Sequence, residues 1–212
     1  MATAYPSPEE FRTLLVRAPL GDLLREHILA GMPYAFRDSP HLLLLLKEHL
    51  CSTLPIEQRN VRIVGSGRTG FSLNPHNFPR RFSDESDLDV AVIDEKLFDV
   101  VWMTMLKWNY PRRRGLPAGE REWRNTRQNE LYWGWFSPDA IGYEGLQFPE
   151  QLTQLRDLSA RWFDAFQSVG TIPEFATRPV GGRLYRSWKH VLLYHLDGLR
   201  QLKELVEREE GG

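Results

Sequence analysis

Two aspartates separated by a single residue, Asp87 and Asp89, open an apolar stretch that ends at Ile93. Successive side chains of a β-strand point to opposite faces, so the two carboxylates project from one face while Leu88 and the apolar residues after it face the core. Two neighbouring carboxylates repel each other, whereas Mg²⁺ is typically bound by one or two carboxylates together with substrate phosphates. The pair therefore predicts a divalent-metal site, and the solvated start of an ordinary strand is the alternative.

A glycine-rich turn precedes the two acids along the chain. An apolar strand predicted over residues 60–65 runs directly into Gly65-Ser66-Gly67-Arg68-Thr69-Gly70. Backbone N–H groups at a glycine turn that leads into a helix attract anions, because the donors are unpaired and the helix dipole favours negative charge. The two motifs together predict phosphate held by backbone beside metal held by carboxylates.

The same glycines allow two other interpretations. The spacing Gly-x-Gly-x-x-Gly over residues 65–70, with Asp94 at the end of the next strand, is typical of a dinucleotide-binding fingerprint. That fingerprint needs a helix between the two strands, and Pro75 and Pro79 exclude a full one there. A phosphate-binding P-loop would need lysine where Phe71 stands, and an apolar ring cannot replace an ammonium group.

The third interpretation uses every residue that is present. Gly65-Ser66 after a strand, the Arg-Thr-Gly turn and Ser86-Asp87-Leu88-Asp89-Val90 resemble the signature of the polymerase-β-type nucleotidyltransferase superfamily, over roughly residues 60–94. The resemblance implies an α/β (α+β) fold with a small mixed β-sheet of nucleotidyltransferase type and helices at both ends. It also implies that Asp87 and Asp89 are catalytic and bind Mg²⁺ or Mn²⁺. The implied nucleotide-binding residues are Gly65, Ser66, Arg68, Ser86 and Lys189, and for a basic C-terminal contact to the triphosphate Arg183 and Arg186 are further candidates.

The superfamily usually supplies a third carboxylate from a neighbouring strand. The candidates are Glu130, Glu144 and Glu174. Glu174, in Thr-Ile-Pro-Glu-Phe-Ala, has the most strand-like surroundings and is the predicted third catalytic acid. If none of the three serves, the protein is expected to bind nucleotide without turning it over.

The resemblance implies an Mg²⁺-dependent enzyme that moves a nucleoside monophosphate from an NTP to an acceptor hydroxyl. The acceptor is expected on RNA, on a protein or on a small molecule. Bacterial stand-alone members often belong to toxin–antitoxin or phage-defence systems, which the resemblance extends to this chain as an expectation. The alternative is a catalytically degenerate nucleotide-binding or protein-interaction module.

Composition sets broader limits. With 212 residues, 42% of them hydrophobic, the chain can bury a core of its own, and a net charge of -1 argues against coating nucleic acid by charge alone. One cysteine, Cys51, allows no intramolecular disulfide. The N-terminus lacks the pattern of a signal peptide, and the longest apolar run, Leu42–Leu46, is too short to span a bilayer. We therefore expect a cytoplasmic protein without membrane contact, whose oligomeric state is left open.

The flanking segments are predicted to be mainly helical. Ser7-Pro8-Glu9-Glu10 is a helix start, with serine as the cap and proline at the first position. Three units that form one compact body are expected: an N-terminal helical segment 1–58, a nucleotidyltransferase-like core with an insertion 59–149 and a C-terminal helical region 150–212. Further predicted elements are helices from about 21, over 39–52, 95–109, 151–167 and 187–208, and a short strand at 181–186.

The segment between Pro111 and Pro149 combines arginines with aromatic residues. Arginine beside exposed aromatic rings is a common way to hold single-stranded nucleic acid. A helix that buries its tryptophans and exposes its arginines is the stronger interpretation of the same pattern.

Overall fold

A mixed four-stranded β-sheet organises the structure, a computed structural model that describes residues 5–112, 116, 118–141 and 152–210. Its strands are β1 (Val61–Val64), β2 (Leu88–Ile93), β3 (Trp135–Phe136) and β4 (Val180–Tyr185). Their order across the sheet is β1-β2-β4-β3, and β2 and β4 are parallel while the other two pairs are antiparallel. The chain is therefore a mixed α+β protein with a small mixed sheet.

Helices on both sides of the sheet account for most of the remaining described residues. A π-helical segment, Leu24–Leu29, continues the second helix, and within the described ranges five short 3₁₀ turns lie between other elements. The α-helices of the described residues are α1 (Pro8–Arg17), α2 (Leu20–Leu23), α3 (Pro40–Thr53), α4 (Gly65–Thr69), α5 (Glu95–Asn109), α6 (Ala118–Tyr132), α7 (Thr153–Val169) and α8 (Trp188–Glu210).

Local sequence signals explain where several helices begin. Ser7 Oγ accepts the N–H of Glu10 at 3.2 Å, and the Glu10 carboxylate accepts the N–H of Ser7 at 2.7 Å, which is a complete capping box. Asp94 caps α5 by accepting the N–H of Leu97 at 2.8 Å. Asp94 is thus occupied as a helix cap, and the antiparallel pairing of β1 with β2 excludes the βαβ unit of a dinucleotide-binding fold.

The two faces of the sheet pack against different helices. Val90, Val92 and Leu184 project into the main core, which α3, α5 and α7 cover with residues such as Leu50, Trp108 and Trp162. The opposite face carries Ala91, Ile93 and Tyr185 and is covered by α8 through Val191. This second face is also the one from which Asp89 projects, because Asp89 and Ala91 are two residues apart.

The N-terminal helices pack on the C-terminal one. Phe11 and Leu15 of α1 form a cluster with Leu199 and Val206 of α8, and Phe71 from the loop after α4 joins it. Arg12 and Glu209 make an ion pair of 2.7 Å across the same contact. These contacts with α1 therefore hold α8 in place against the sheet.

The helices α5 and α6 bury only part of their apolar residues. In α5 Phe98 is buried, whereas Val100 is 44% exposed. In the arginine-rich middle, Trp123 of α6 packs edge-on against Trp108 in the core. Tyr132 and Trp133 remain largely exposed, and residues 113–115, 117 and 142–149 of that segment lie outside the described residues.

None of the described helices combines the length and the apolar character needed to cross a membrane.

Leu184 offers a direct test of the main core. It is fully buried on β4, whereas Leu193 on α8 is 52% exposed. We expect Leu184→Ala to lower the free energy of unfolding by about 2–5 kcal/mol, because it removes transfer free energy and leaves a cavity. Leu193→Ala, the matched control, should change it by less than about 0.5 kcal/mol. Urea denaturation measures both, and equal effects of the two substitutions would contradict this core.

Candidate functional site

The predicted glycine turn and the predicted acid pair meet in space. In the β1–β2 ladder Val64 lies opposite Asp89, so Gly65 leaves the sheet beside that carboxylate. Gly65 has φ 62°, in the left-handed region, and a Cβ on it would collide with Asp89 Oδ2. Only glycine fits a backbone position that is both left-handed and this close to a side chain. The main chain of the turn therefore lies directly against the carboxylate.

Asp89 projects from the second face of β2, and Asp87 lies directly before Leu88, the first residue of that strand. Both are exposed, while Leu88 between them is buried in the main core. Neither carboxylate makes a hydrogen bond or an ion pair with any other residue that the structure describes. Desolvation where the carboxyl meets the turn raises the pKa of Asp89 above its ordinary value, and the charge of Asp87 raises it further.

Arg183 is a cation whose charge acts on Asp89. The parallel β2–β4 register places Gly181 beside Asp89, so Gly181 and Arg183 share its face of the sheet. The positive charge of Arg183 acts to lower the pKa of Asp89, against the larger effects of burial and Asp87. The guanidinium lies over the rings of Trp135 and Tyr194, with its central carbon 4.5 and 4.9 Å from their centroids.

Two further titratable residues lie near Arg183 inside the protein. Burial and the charge of Arg183 lower the pKa of His195 to about 4, so this imidazole is neutral at pH 7. Burial raises the pKa of Glu130 to about 7, against the opposing attraction of Arg127 and Arg183. Glu130 lies in α6, where its carboxylate is 3.0 Å from the Arg127 guanidinium. His195 lies on α8, which the sequence analysis predicted as a helix, and no local pattern in the sequence indicates that the charge of Arg183 acts on it.

None of the strands that the structure describes carries the expected third acid. Glu174 lies in a 3₁₀ turn, Pro173–Phe175, and is exposed, so the predicted strand around it is wrong. Proline fixes φ and lacks the N–H that a sheet ladder uses, and here it starts a turn. The strand beside β2 begins later, at Val180, and presents Arg183 instead of a carboxylate. Glu144 lies outside the described residues.

The structure uses Ser86 and Arg68 in other contacts. The Ser86 hydroxyl accepts the N–H of Ser83 at 3.0 Å and so shapes the turn before β2. Arg68 is buried and donates its Nε–H to the carbonyl of Ile28 at 3.0 Å, and a second N–H to the carbonyl of Met32. Ser66 is half-exposed at the second position of α4, next to the turn.

Lys189 lies at the other end of the sheet from the acids. Ile93, the last residue of β2, pairs with Tyr185, the last of β4, and α8 begins shortly afterwards. Asp89 is four residues earlier on β2, which is roughly 13 Å along a strand. Lys189 in the first turn of α8 is therefore not brought to the acid pair, whereas Arg183, which the sequence analysis named for the same contact, projects from the face that carries Asp89.

The donor set fits a divalent ion that also binds substrate phosphate. Within the described ranges, no group of three or more His, Cys, Asp or Glu residues is arranged to hold a metal. Two carboxylates leave most positions of an Mg²⁺ ion to phosphate oxygens and water, and Mg²⁺ commonly binds in this way. The geometry of Asp87 and Asp89 beside a backbone turn is compatible with such an ion.

Comparisons with protein-family models, curated proteins and solved structures find no match for this chain.

Asp89→Asn tests the electrostatics of the pair. The folded-state pKa of Asp89 is raised, so the folded protein binds this proton more tightly than the unfolded chain does, and ionisation costs folded stability. We expect Asp89→Asn to be more stable than the parent at pH 7, and the gain to vanish as pH falls below the ordinary aspartate range. Chemical denaturation at several pH values measures it, with exposed Asp164→Asn as control. A loss of stability at pH 7 would contradict the assignment.

Glu130→Gln tests the buried ion pair in the same way. Because burial raises the Glu130 pKa from 4.5 to about 7, the parent should lose stability as pH rises through that window. The loss is on the order of 3 kcal/mol, since one pKa unit corresponds to about 1.4 kcal/mol. Glu130→Gln should lack this part of the pH dependence, whereas exposed Glu122→Gln should keep it. Identical pH profiles for all three proteins would exclude the raised pKa.

Proposed function

We propose that the protein is an Mg²⁺-dependent nucleotidyltransferase of the polymerase-β type, which moves a nucleoside monophosphate from an NTP to an acceptor hydroxyl. The observation that carries this proposal is the contact of Gly65 with Asp89, with Asp87 exposed directly before the strand. Support for the fold type comes from two antiparallel strands joined through the short helix α4, with the acids at the start of the second strand. An acceptor on RNA, protein or a small molecule is part of the proposal.

In the proposed reaction the acceptor oxygen forms a bond to the α-phosphorus of the NTP. The bond from that phosphorus to the oxygen that bridges to the β-phosphate breaks, pyrophosphate leaves, and the hydroxyl proton is released to water. Bound divalent metal supplies charge neutralisation and activation of the attacking oxygen. Asp87 and Asp89 hold it, while the Gly65-Ser66 backbone lies beside the phosphates.

Arg183 takes a defined role in this scheme. Its guanidinium projects from the same face of the sheet as Asp89 and is oriented by two aromatic rings. A fixed guanidinium binds phosphate oxygens through its planar set of donors. We assign it to the triphosphate, the contact for which the sequence analysis named Lys189, Arg183 and Arg186.

One observation favours a second candidate function. Arg183 stands on the strand beside β2, from which the superfamily usually supplies its third carboxylate. A site with two acids and an adjacent arginine suits binding of a nucleotide better than deprotonation of an acceptor. The second candidate is therefore a module that binds nucleotide and metal without transfer.

Labelled-nucleotide transfer tests the proposal. The purified protein is incubated with each α-³²P NTP, Mg²⁺ or Mn²⁺, total RNA and cell lysate, and compared with Asp87→Asn, Asp89→Asn and the exposed control Asp164→Asn. We expect the first two variants to lose transfer by about 100-fold or more, because loss of a single preorganised electrostatic group already costs about 10²–10³. Asp164→Asn should keep full transfer.

Calorimetric titration of NTP in the presence of Mg²⁺ separates the two candidates. Absence of transfer with NTP binding that Asp87→Asn and Asp89→Asn abolish would favour the binding module. Absence of both transfer and NTP binding in the parent would overturn the whole proposal, including the metal role of the two acids.

A further inference from the structure

A second concave surface lies along β1, the edge strand of the sheet. This β1 groove encloses about 560 Å³ between the loop at residues 29–33, α3 and the outer side of β1. Four of the residues that line it are cationic: Lys47, Arg59, Arg62 and Arg68. None of the described lining residues is acidic. In a chain of net charge -1 this is a local concentration of positive charge.

Arg68 anchors the inner wall of the groove. Only 4% of it is exposed, and its recorded partners are the main-chain carbonyls of Ile28 and Met32. No carboxylate of the described residues forms an ion pair with it. A buried charge without a counter-ion is costly, and an anion in the groove would lower that cost.

Lys47 and Arg62 face the same space from two elements. Lys47 of α3 makes no hydrogen bond or ion pair with any residue that the structure describes. Burial lowers its pKa, and the nearby charge of Arg62 lowers it further, which shows that the two cations are held within range of each other's repulsion. Such an arrangement is relieved when an anion lies between the two charges.

Arg62 is fixed in position. One of its terminal nitrogens donates to the carbonyls of Arg59 and Val61 at 2.7 and 2.9 Å, and its guanidinium carbon lies 4.9 Å from the centroid of the Trp188 ring. Trp188 is still 37% exposed beside it. Arg59, by contrast, is already paired with Glu57 at 2.6 Å and contributes less free charge.

We propose that the β1 groove binds the phosphodiester backbone of a single-stranded nucleic acid. Cations distributed over α3, β1 and α4 suit successive phosphates along a strand better than one compact anion. Charged grooves that follow the backbone, with an aromatic ring at the side, are how single strands are commonly held. Binding there uses neither Asp87 nor Asp89, so it does not require the transfer reaction.

Fluorescence anisotropy with a 5′-labelled 12-nucleotide oligouridine, and with one of mixed sequence, tests the groove. The variant Lys47→Gln/Arg62→Gln is compared with Arg156→Gln/Lys107→Gln, which removes the same charge from exposed positions on α7 and α5. We expect the groove variant to raise Kd at least tenfold and the control to stay within about twofold. The slope of log K against log salt should become shallower by about 1.4 for two lost phosphate contacts.

Lys47→Gln alone guards against misfolding, because Lys47 makes no hydrogen bond or ion pair with a described residue and repels Arg62, so its loss should not lower the melting temperature. It should still weaken binding severalfold, and Asp87→Asn should leave oligonucleotide affinity at the parent value. Equal affinities of the groove and control variants would overturn the proposal, as would absence of oligonucleotide binding by the parent. Displacement of the oligonucleotide by inorganic tripolyphosphate at a tenfold lower phosphate concentration would also overturn it, in favour of a compact polyphosphate ligand.

Discussion

The candidate site depends on one constraint: residue 65 is glycine, which has no Cβ. The β1–β2 ladder ends where Val64 meets Asp89, and the chain can turn there only because Gly65 adopts φ 62° against the carboxylate. A slip of the ladder by one residue would turn Asp87 and Asp89 into the core and Leu88 out to solvent. The burial of Leu88 and Val90 therefore fixes the register, and the register fixes the turn against the acid. In this part of the molecule, core packing therefore determines the geometry of the candidate site.

The α8 face of the sheet concentrates charge that an ordinary core would exclude. Asp89 and Arg183 project from it, and the charge of Arg183 also acts on Glu130 of α6 and on His195 of α8. Each of the two carboxyls has a raised pKa, so each reduces folded stability when ionised near neutral pH. Shifts of this kind cluster at functional sites more often than elsewhere, because such sites keep charges where packing alone would remove them. The apolar contacts of α1 with α8 keep α8 packed on this face of the sheet.

Local signals in the sequence predicted the elements well, and topology explains most of what they missed. The capping box at Ser7, the alternation of β2 and the short strand before α8 can each be recognised within a few residues. The position of Lys189 cannot be recognised in this way. It depends on β4 running parallel to β2, which makes α8 start at the far end of the sheet. That Arg183 projects from the face that carries Asp89 likewise follows only from the register of the same strand pair. Glu174 was misplaced for a local reason, since Pro173 begins a turn where apolar neighbours suggested a strand.

One strand relates the two charged surfaces. Along β1, Val61 and Ile63 are buried in the main core, while Arg62 and Val64 belong to the face that carries Ala91 and Asp89. Arg62 therefore faces the β1 groove two residues before the strand reaches the acid site. Both surfaces are attached to one hydrogen-bonded ladder and not to separate loops, so their separation is set by the sheet. Motion of the loop at residues 29–33 would change access to the groove, whereas the spacing from Arg62 to Asp89 would change only if β1 were to separate from β2.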